Sequence, residues 1–165
     1  MSSEYGQNIK LTVFGESHAR AVGVVIEGLP AGEAIDEERI MNFMRRRMGG
    51  KAWSTPRKEE DRPEFLCGLL GGKTTGAALC AIIKNSNIRP SDYENMKNVP
   101  RPSHADYPAF VKYGGANDRS GGGQFSGRLT APLCVAGAIS EQILARKGIN
   151  VAAHLSRAAG IDDTP

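Results

Sequence analysis

The sequence predicts an α+β fold, and three observations point there. Ile9, Leu11 and Val13 alternate with Lys10, Thr12 and Phe14, and residues 22–27 form a second apolar run, which reads as two strands. Two further strand-like runs, 65–70 and 77–84, flank a connection rich in glycine and threonine. Two segments, 36–47 and 132–147, carry apolar residues at helical spacing. At 165 residues, with 40% apolar and 24% charged residues, the chain fits a single globular domain able to bury a core.

The first strand stops at Gly15, and the loop into the second carries Gly15, Glu16, Ser17 and His18. Gly28 and Pro30 close the second strand with turn residues. Asp36 is placed to cap a helix, with Ile35 and Ile40 as a hydrophobic staple and Ile40, Phe43 and Met44 as its stripe. Its last turn is Arg45, Arg46 and Arg47, where cations complement the helix dipole, with a stop at Gly49 and Gly50. Residues 71–76 read as a hairpin connection. Residues 85–124 show little periodicity and read as a long functional loop containing His104 and ending in Gly121, Gly122 and Gly123. In the helix predicted at 132–147, Val135, Ala136, Ile139, Ile143 and Leu144 share a face and Gly148 is the stop. Residues 151–155 read as the start of another strand, and because the chain ends soon after it, a portion of a longer protein is expected.

No apolar run reaches the ~20 residues a membrane helix needs, and the first ten residues lack an export pattern. Cys67, Cys80 and Cys134 are well separated and set among apolar neighbours, which reads as buried thiols in a reducing, cytoplasmic compartment. The net charge of +3 does not argue for nucleic acid, and the aromatics are not interleaved with cations as stacking platforms would require.

Three groups carry chemistry. His18 and His104 sit in loops beside Gly, Ser, Pro and Asp, where an imidazole can give or take a proton; bracing of their own loops is the equal alternative. His154, among apolar residues, reads as structural. Arg45, Arg46, Arg47, Lys51, Arg57 and Lys58, then Arg101 and Arg128, form a cationic group suited to phosphate and carboxylate ligands, the alternative being a solvated helix end partly neutralised by Glu59, Glu60 and Asp61. Residues 120–128 form a glycine-rich turn before a helix, matching neither a dinucleotide fingerprint nor a lysine-terminated phosphate loop.

Taken together, GESH at 15–18, STPRKEED at 54–61, GKTTG at 72–76, SDY at 91–93, RPSHADY at 101–107, KYG at 112–114 and GGGQFSGR at 121–128 resemble chorismate synthase, in order and in register, over residues 6–155. The resemblance implies a helical layer sandwiched between antiparallel β-sheets, incomplete in this chain because members of the family are substantially longer. It implies elimination of phosphate from 5-enolpyruvylshikimate 3-phosphate to give chorismate, requiring reduced FMN, in a homotetramer of the full-length protein. NADPH as reductant and a separate reductase both remain open. By motif position, His18 would protonate the departing phosphate and His104 the reduced flavin. Ser17 and Ser126 match catalytic serines; Gln124, Phe125 and Ser126 match the FMN-contacting segment. Arg46 matches the phosphate-binding cluster, to which Arg45, Arg101 and Arg128 are added. The chain departs from the family pattern at Ala19, Ala52, Ser103, Ser120, Gln124 and Gly127. A chain of this length is expected to be inactive alone, the alternative being a non-catalytic anion-binding or interaction module of the same fold.

Overall fold

The computed structural model describes residues 3–49, 59–86, 88 and 99–164. Alternating apolar residues build a five-stranded antiparallel sheet in the order β1-β2-β3-β7-β4. Its strands are β1 (Glu4–Tyr5), β2 (Lys10–Gly15), β3 (Ala21–Glu27), β4 (Pro63–Cys67) and β7 (Leu79–Lys84). Each pairing carries the apolar set to one face: Val13 stands opposite Val24, and Val24 opposite Ala81. The segment joining β4 to β7 is not a plain connection. It folds into its own small hairpin, β5 (Leu69–Leu70) with β6 (Lys73–Thr74), because Gly71 and Gly72, both at positive φ, make the tight turn.

Helix α1 (Glu37–Arg47) forms where expected. The Asp36 carboxylate accepts from the Glu38 N–H at 2.8 Å and the Arg39 N–H at 3.2 Å, filling two of the orphan donors of the first turn. Ile35 and Ile40 are both buried beside that cap. Met48, not Gly49, ends the helix by leaving the helical region, and Gly50 lies outside the described residues. Helix α3 (Thr130–Ala145) starts two residues earlier than its pattern suggests, since Pro132 is tolerated in a first turn whose N–H groups need no partner. It lies on the β2, β3 and β7 strands, and α1 packs against it. Their shared core includes Val22, Val24, Ile26, Ile40, Met44, Leu79, Ile83 and Ile139, each at most 1% exposed, and each large side chain so buried contributes about 1.5–3 kcal/mol.

Three expectations fail. The stretch 85–124 is not loop throughout: α2 (Asp106–Tyr113) lies within it, ended by Gly114 in the left-handed conformation. Its apolar residues Tyr107, Phe110 and Val111 stay exposed, so no buried stripe marked it. The predicted strand at 151–155 does not form. Val151 and Leu155 are each 71% exposed with no apolar surface to alternate against, and the chain makes the short hairpin β8 (Arg157–Ala158) with β9 (Ile161–Asp162) instead. His154 is correspondingly exposed and faces Asp163 at 3.1 Å. The cysteines are free thiols but not fully buried. Cys67 and Cys80 face each other across β4 and β7 on the side of the sheet away from the helices, Cys67 exposed and Cys80 half-buried, while burial raises the pKa of the half-buried Cys134. Among the described residues no helix is long and apolar enough to cross a membrane.

Gln142 joins the two helices. It is 2% exposed, its Oε1 accepts from the Asp36 N–H at 2.8 Å, and its Nε2 donates to the Asp36 carbonyl at 3.1 Å. Gln142→Leu keeps the volume but strands the Asp36 N–H, while the Asp36 carbonyl keeps its bond from the Ile40 N–H, so it should cost about 1–3 kcal/mol in a urea unfolding series. A midpoint equal to the parent's would show that Gln142 is not a tie.

Candidate active site

The glycine-rich turn predicted from sequence is the floor of the site. Gly121, Gly122 and Gly123 have φ of 59°, 99° and 53°, a succession that residues with a Cβ rarely adopt. The reason lies in what faces them. A Cβ on Gly121 would stand 2.1 Å from His18 Cε1 and 3.0 Å from Ser17 Oγ, and one on Gly122 would stand 2.8 Å from His104 Cε1 and 2.9 Å from its Nε2. The two loop histidines, 86 positions apart in sequence, therefore rest on adjacent glycines of one turn. Ser126 joins them, its Cβ 3.7 Å from the same point above Gly122, and its Oγ accepts from the Arg128 N–H at 3.2 Å.

Ser17 is fully buried. Its backbone N–H donates to Gly123 O at 3.2 Å and its hydroxyl to the Ser120 carbonyl at 3.0 Å. A carbonyl only accepts, so the single hydroxyl proton lies there, and the 3.0 Å contact between Ser17 Oγ and His18 Nδ1 is donated by the imidazole. His104 is held differently. Its Nδ1 is 2.7 Å from Asp106 Oδ1, at the first turn of α2. Asp106 also accepts from Arg101: Nε at 2.7 Å, Nη2 at 2.8 Å and the backbone N–H at 3.0 Å. Hydrogen bonds and charge from Arg101 keep the Asp106 carboxyl well below the usual carboxylate range.

The Ser17–His18 turn is positioned by a buried polar chain. Asn85 Nδ2 donates to the carbonyls of Glu16 at 3.1 Å and Ala19 at 2.7 Å, while its Oδ1 accepts from Arg128 Nε at 2.9 Å. Arg128 Nη1 in turn donates to Asp61, which also pairs with Arg47 of α1. Asp61 is 2% exposed and Arg128 7%. Arg128 Nη2 is buried and has no partner among the described residues.

The predicted arginines are thus not gathered into one cluster. Arg45 is exposed and bonded to Asn42; Arg46 lies over the Phe43 ring, 5.3 Å from its centroid; Arg101 faces Asp106; Arg128 is internal. Lys51, Arg57 and Lys58 lie outside the described residues, as do most of the 54–61 motif and the 91–93 motif. Gln124 and Ser126 line a cleft of about 1080 Å³ together with Leu11, Val13, Phe14 and Glu16. Glu16 has a raised pKa, from burial and then from the charge of Asp118. Phe125 turns toward Tyr113, ring centroids 6.5 Å apart. Sequence reasoning missed Asp106, Asn85 and Asp61. Only Asp106 left a local signal, two residues beyond His104. Among the described residues no group of three or more His, Cys, Asp or Glu is placed to hold a metal ion.

Residues 9–164 match the family model described as chorismate synthase. Chorismate synthase of Lancefieldella parvula is 48% identical over 100% of this chain and 44% of its own length. That of Thermococcus kodakarensis is 45% identical over 95% of this chain and 44% of its own. A solved structure, "Crystal Structure of Chorismate Synthase", superposes with a TM-score of 0.62 at 25% identity, covering 87% of this chain and 36% of the other. The chain therefore spans less than half the length of these relatives.

Because Asp61 is the only described acid between Arg47 and Arg128, Asp61→Ala leaves the buried Arg128 and the partly buried Arg47 without their counter-ion and should destabilise by about 3–5 kcal/mol. Urea unfolding by circular dichroism reads this directly, and a loss below ~1 kcal/mol, the worth of an exposed pair, would contradict the network.

Proposed function

The chain belongs to the chorismate synthase family, and we propose that it supplies the two-histidine part of an active site that eliminates phosphate from 5-enolpyruvylshikimate 3-phosphate to give chorismate. The observation that carries this reading is the meeting of His18 and His104 on one glycine turn. The reaction breaks a carbon–oxygen bond to phosphate, and a phosphate leaves more readily when it accepts a proton as it departs. His18 has its Nδ1 proton committed to Ser17 Oγ, which makes Nε2 the atom that would hold and deliver that proton. His104, anchored through Nδ1 by Asp106, presents Nε2 at Gly122 and would hold a second proton there.

The residues fit a flavin. The cleft beside Gln124 and Ser126 is of cofactor size, and it lies next to the glycine turn on which the two histidines rest. Gln124, Phe125 and Ser126 would hold it. Reduced FMN, when bound, would supply a transient electron donor with no net redox change. The substrate's phosphate and carboxylates need fixed cations. Arg45 and Arg46 at the end of α1 and Arg128, with its orphan Nη2, are the side chains we assign to them. The same reading places the full-length enzyme in the cytoplasm as a homotetramer and leaves this portion alone weak in FMN binding and inactive.

In the full-length protein, assayed without oxygen and with chemically reduced FMN, His18→Ala and His104→Ala should each lower turnover by about 10²- to 10⁴-fold. Near-parental turnover of both would make the two loops structural only. Arg46→Ala should weaken substrate binding by about 1.5–3 kcal/mol while stoichiometric FMN binding persists, and unchanged binding in a calorimetric titration would remove Arg46 from the anion site.

A further inference from the structure

We propose that Asp106, clamped by Arg101, is a positioning residue that fixes His104 in the Nδ1–H tautomer and so sets Nε2 as its working nitrogen. The inference rests on the functional reading above for its consequence, but its geometry stands apart from that reading. His104 Nδ1 lies between two groups, Asp106 Oδ1 at 2.7 Å and Arg101 Nη2 at 3.3 Å. The guanidinium nitrogen can only donate, and a carboxylate oxygen can only accept. Were Nδ1 unprotonated, it would lie 2.7 Å from the carboxylate oxygen with like charge density facing it, whereas a proton on Nδ1 makes that approach attractive at the cost of the longer 3.3 Å contact with Arg101. The neutral ring is therefore Nδ1–H, with Nε2 turned to Gly122.

Arg101 decides that this carboxylate cannot turn away. Three of its donors hold Asp106: the backbone N–H and Nε take Oδ2, and Nη2 takes Oδ1. With both oxygens held, the Oδ1 lone pair left over faces the imidazole. The same hydrogen bonds keep the carboxyl ionised below the usual carboxylate range, so the clamp is in place at neutral pH and is lost only in strong acid. Arg101 thus serves His104 through Asp106, a role the phosphate-binding expectation did not contain.

The arrangement makes a directional prediction. In Asp106→Asn the backbone N–H and Nε of Arg101 still demand an oxygen at the Oδ2 position, which places the amide NH₂ at the Oδ1 position facing His104. The amide then donates to Nδ1 and drives the ring to the Nε2–H tautomer, the effect that disables an oriented histidine when its aspartate becomes asparagine. Imidazole ¹⁵N resonances of ¹⁵N-histidine-labelled full-length protein at alkaline pH report the tautomer without substrate or flavin. The expected result is a proton on Nδ1 in the parent and on Nε2 in Asp106→Asn. A parent His104 carrying its proton on Nε2 overturns the proposal by itself, even if the variant fails to fold, and so does a variant in which the proton stays on Nδ1. In the holoenzyme Asp106→Asn should lower kcat by roughly 10²- to 10⁴-fold with KM little changed. If the tautomer flips as stated but kcat is unaffected, the positioning survives and the assignment of His104 to the reaction falls.

Discussion

The structure turns on the missing side chains of Gly121 and Gly122. One methyl group on either would occupy the space of an imidazole, 2.1 Å from His18 Cε1 or 2.8 Å from His104 Cε1. Two histidines from distant parts of the chain can share a site only because the turn beneath them has no Cβ and adopts a positive-φ path closed to most other residues. The turn contributes more than space. Its Gly123 carbonyl accepts from the Ser17 N–H, and the Ser120 carbonyl just before it takes the Ser17 hydroxyl, so the backbone that makes room for His18 also sets which ring nitrogen His18 donates from.

Each histidine is then held from behind by different chemistry. His18 leans on a neutral hydroxyl and on a turn gripped by Asn85, and that grip runs through Arg128 and Asp61 to Arg47 at the end of α1. His104 leans on a carboxylate that Arg101 keeps ionised. One support is neutral and the other anionic. The ion pairs act mainly as connectors: their desolvation offsets much of their attraction, but they tie the Ser17–His18 turn to the helix that carries Arg45 and Arg46.

How much of this was legible depended on the range of the forces involved. The capping of α1 by Asp36, the alternation in β2 and the apolar run of β3 are encoded within a few residues, and all formed where the pattern placed them. The glycine turn and both loop histidines were visible as residue types in unusual surroundings, but their meeting was not, because it is a contact between separate segments. Asp61 with Arg128, 67 positions apart, left no pattern at all; read in one dimension, Arg128 looked like a cation for an anionic ligand and Asp61 like part of an acidic run neutralising the helix end. Helix α2 escaped because its large apolar side chains, Tyr107, Phe110 and Val111, are exposed and only Ala109 is buried, so the period that sequence reading relies on is absent. The apolar residues 151–155 misled in the opposite way, offering strand alternation where this chain provides no surface for it.

The claim on which the account rests is that Gly121 meets His18 and Gly122 meets His104. Imidazole ring resonances of the Gly121→Ala and Gly122→Ala variants test it most directly, read beside the methyl resonances of Ile26 and Ile139 in the core. The account predicts that Gly121→Ala displaces the His18 signals and Gly122→Ala the His104 signals, with the core methyls in place in both. Histidine signals unmoved in both variants would contradict it, since the rings would then not lie against the glycine turn.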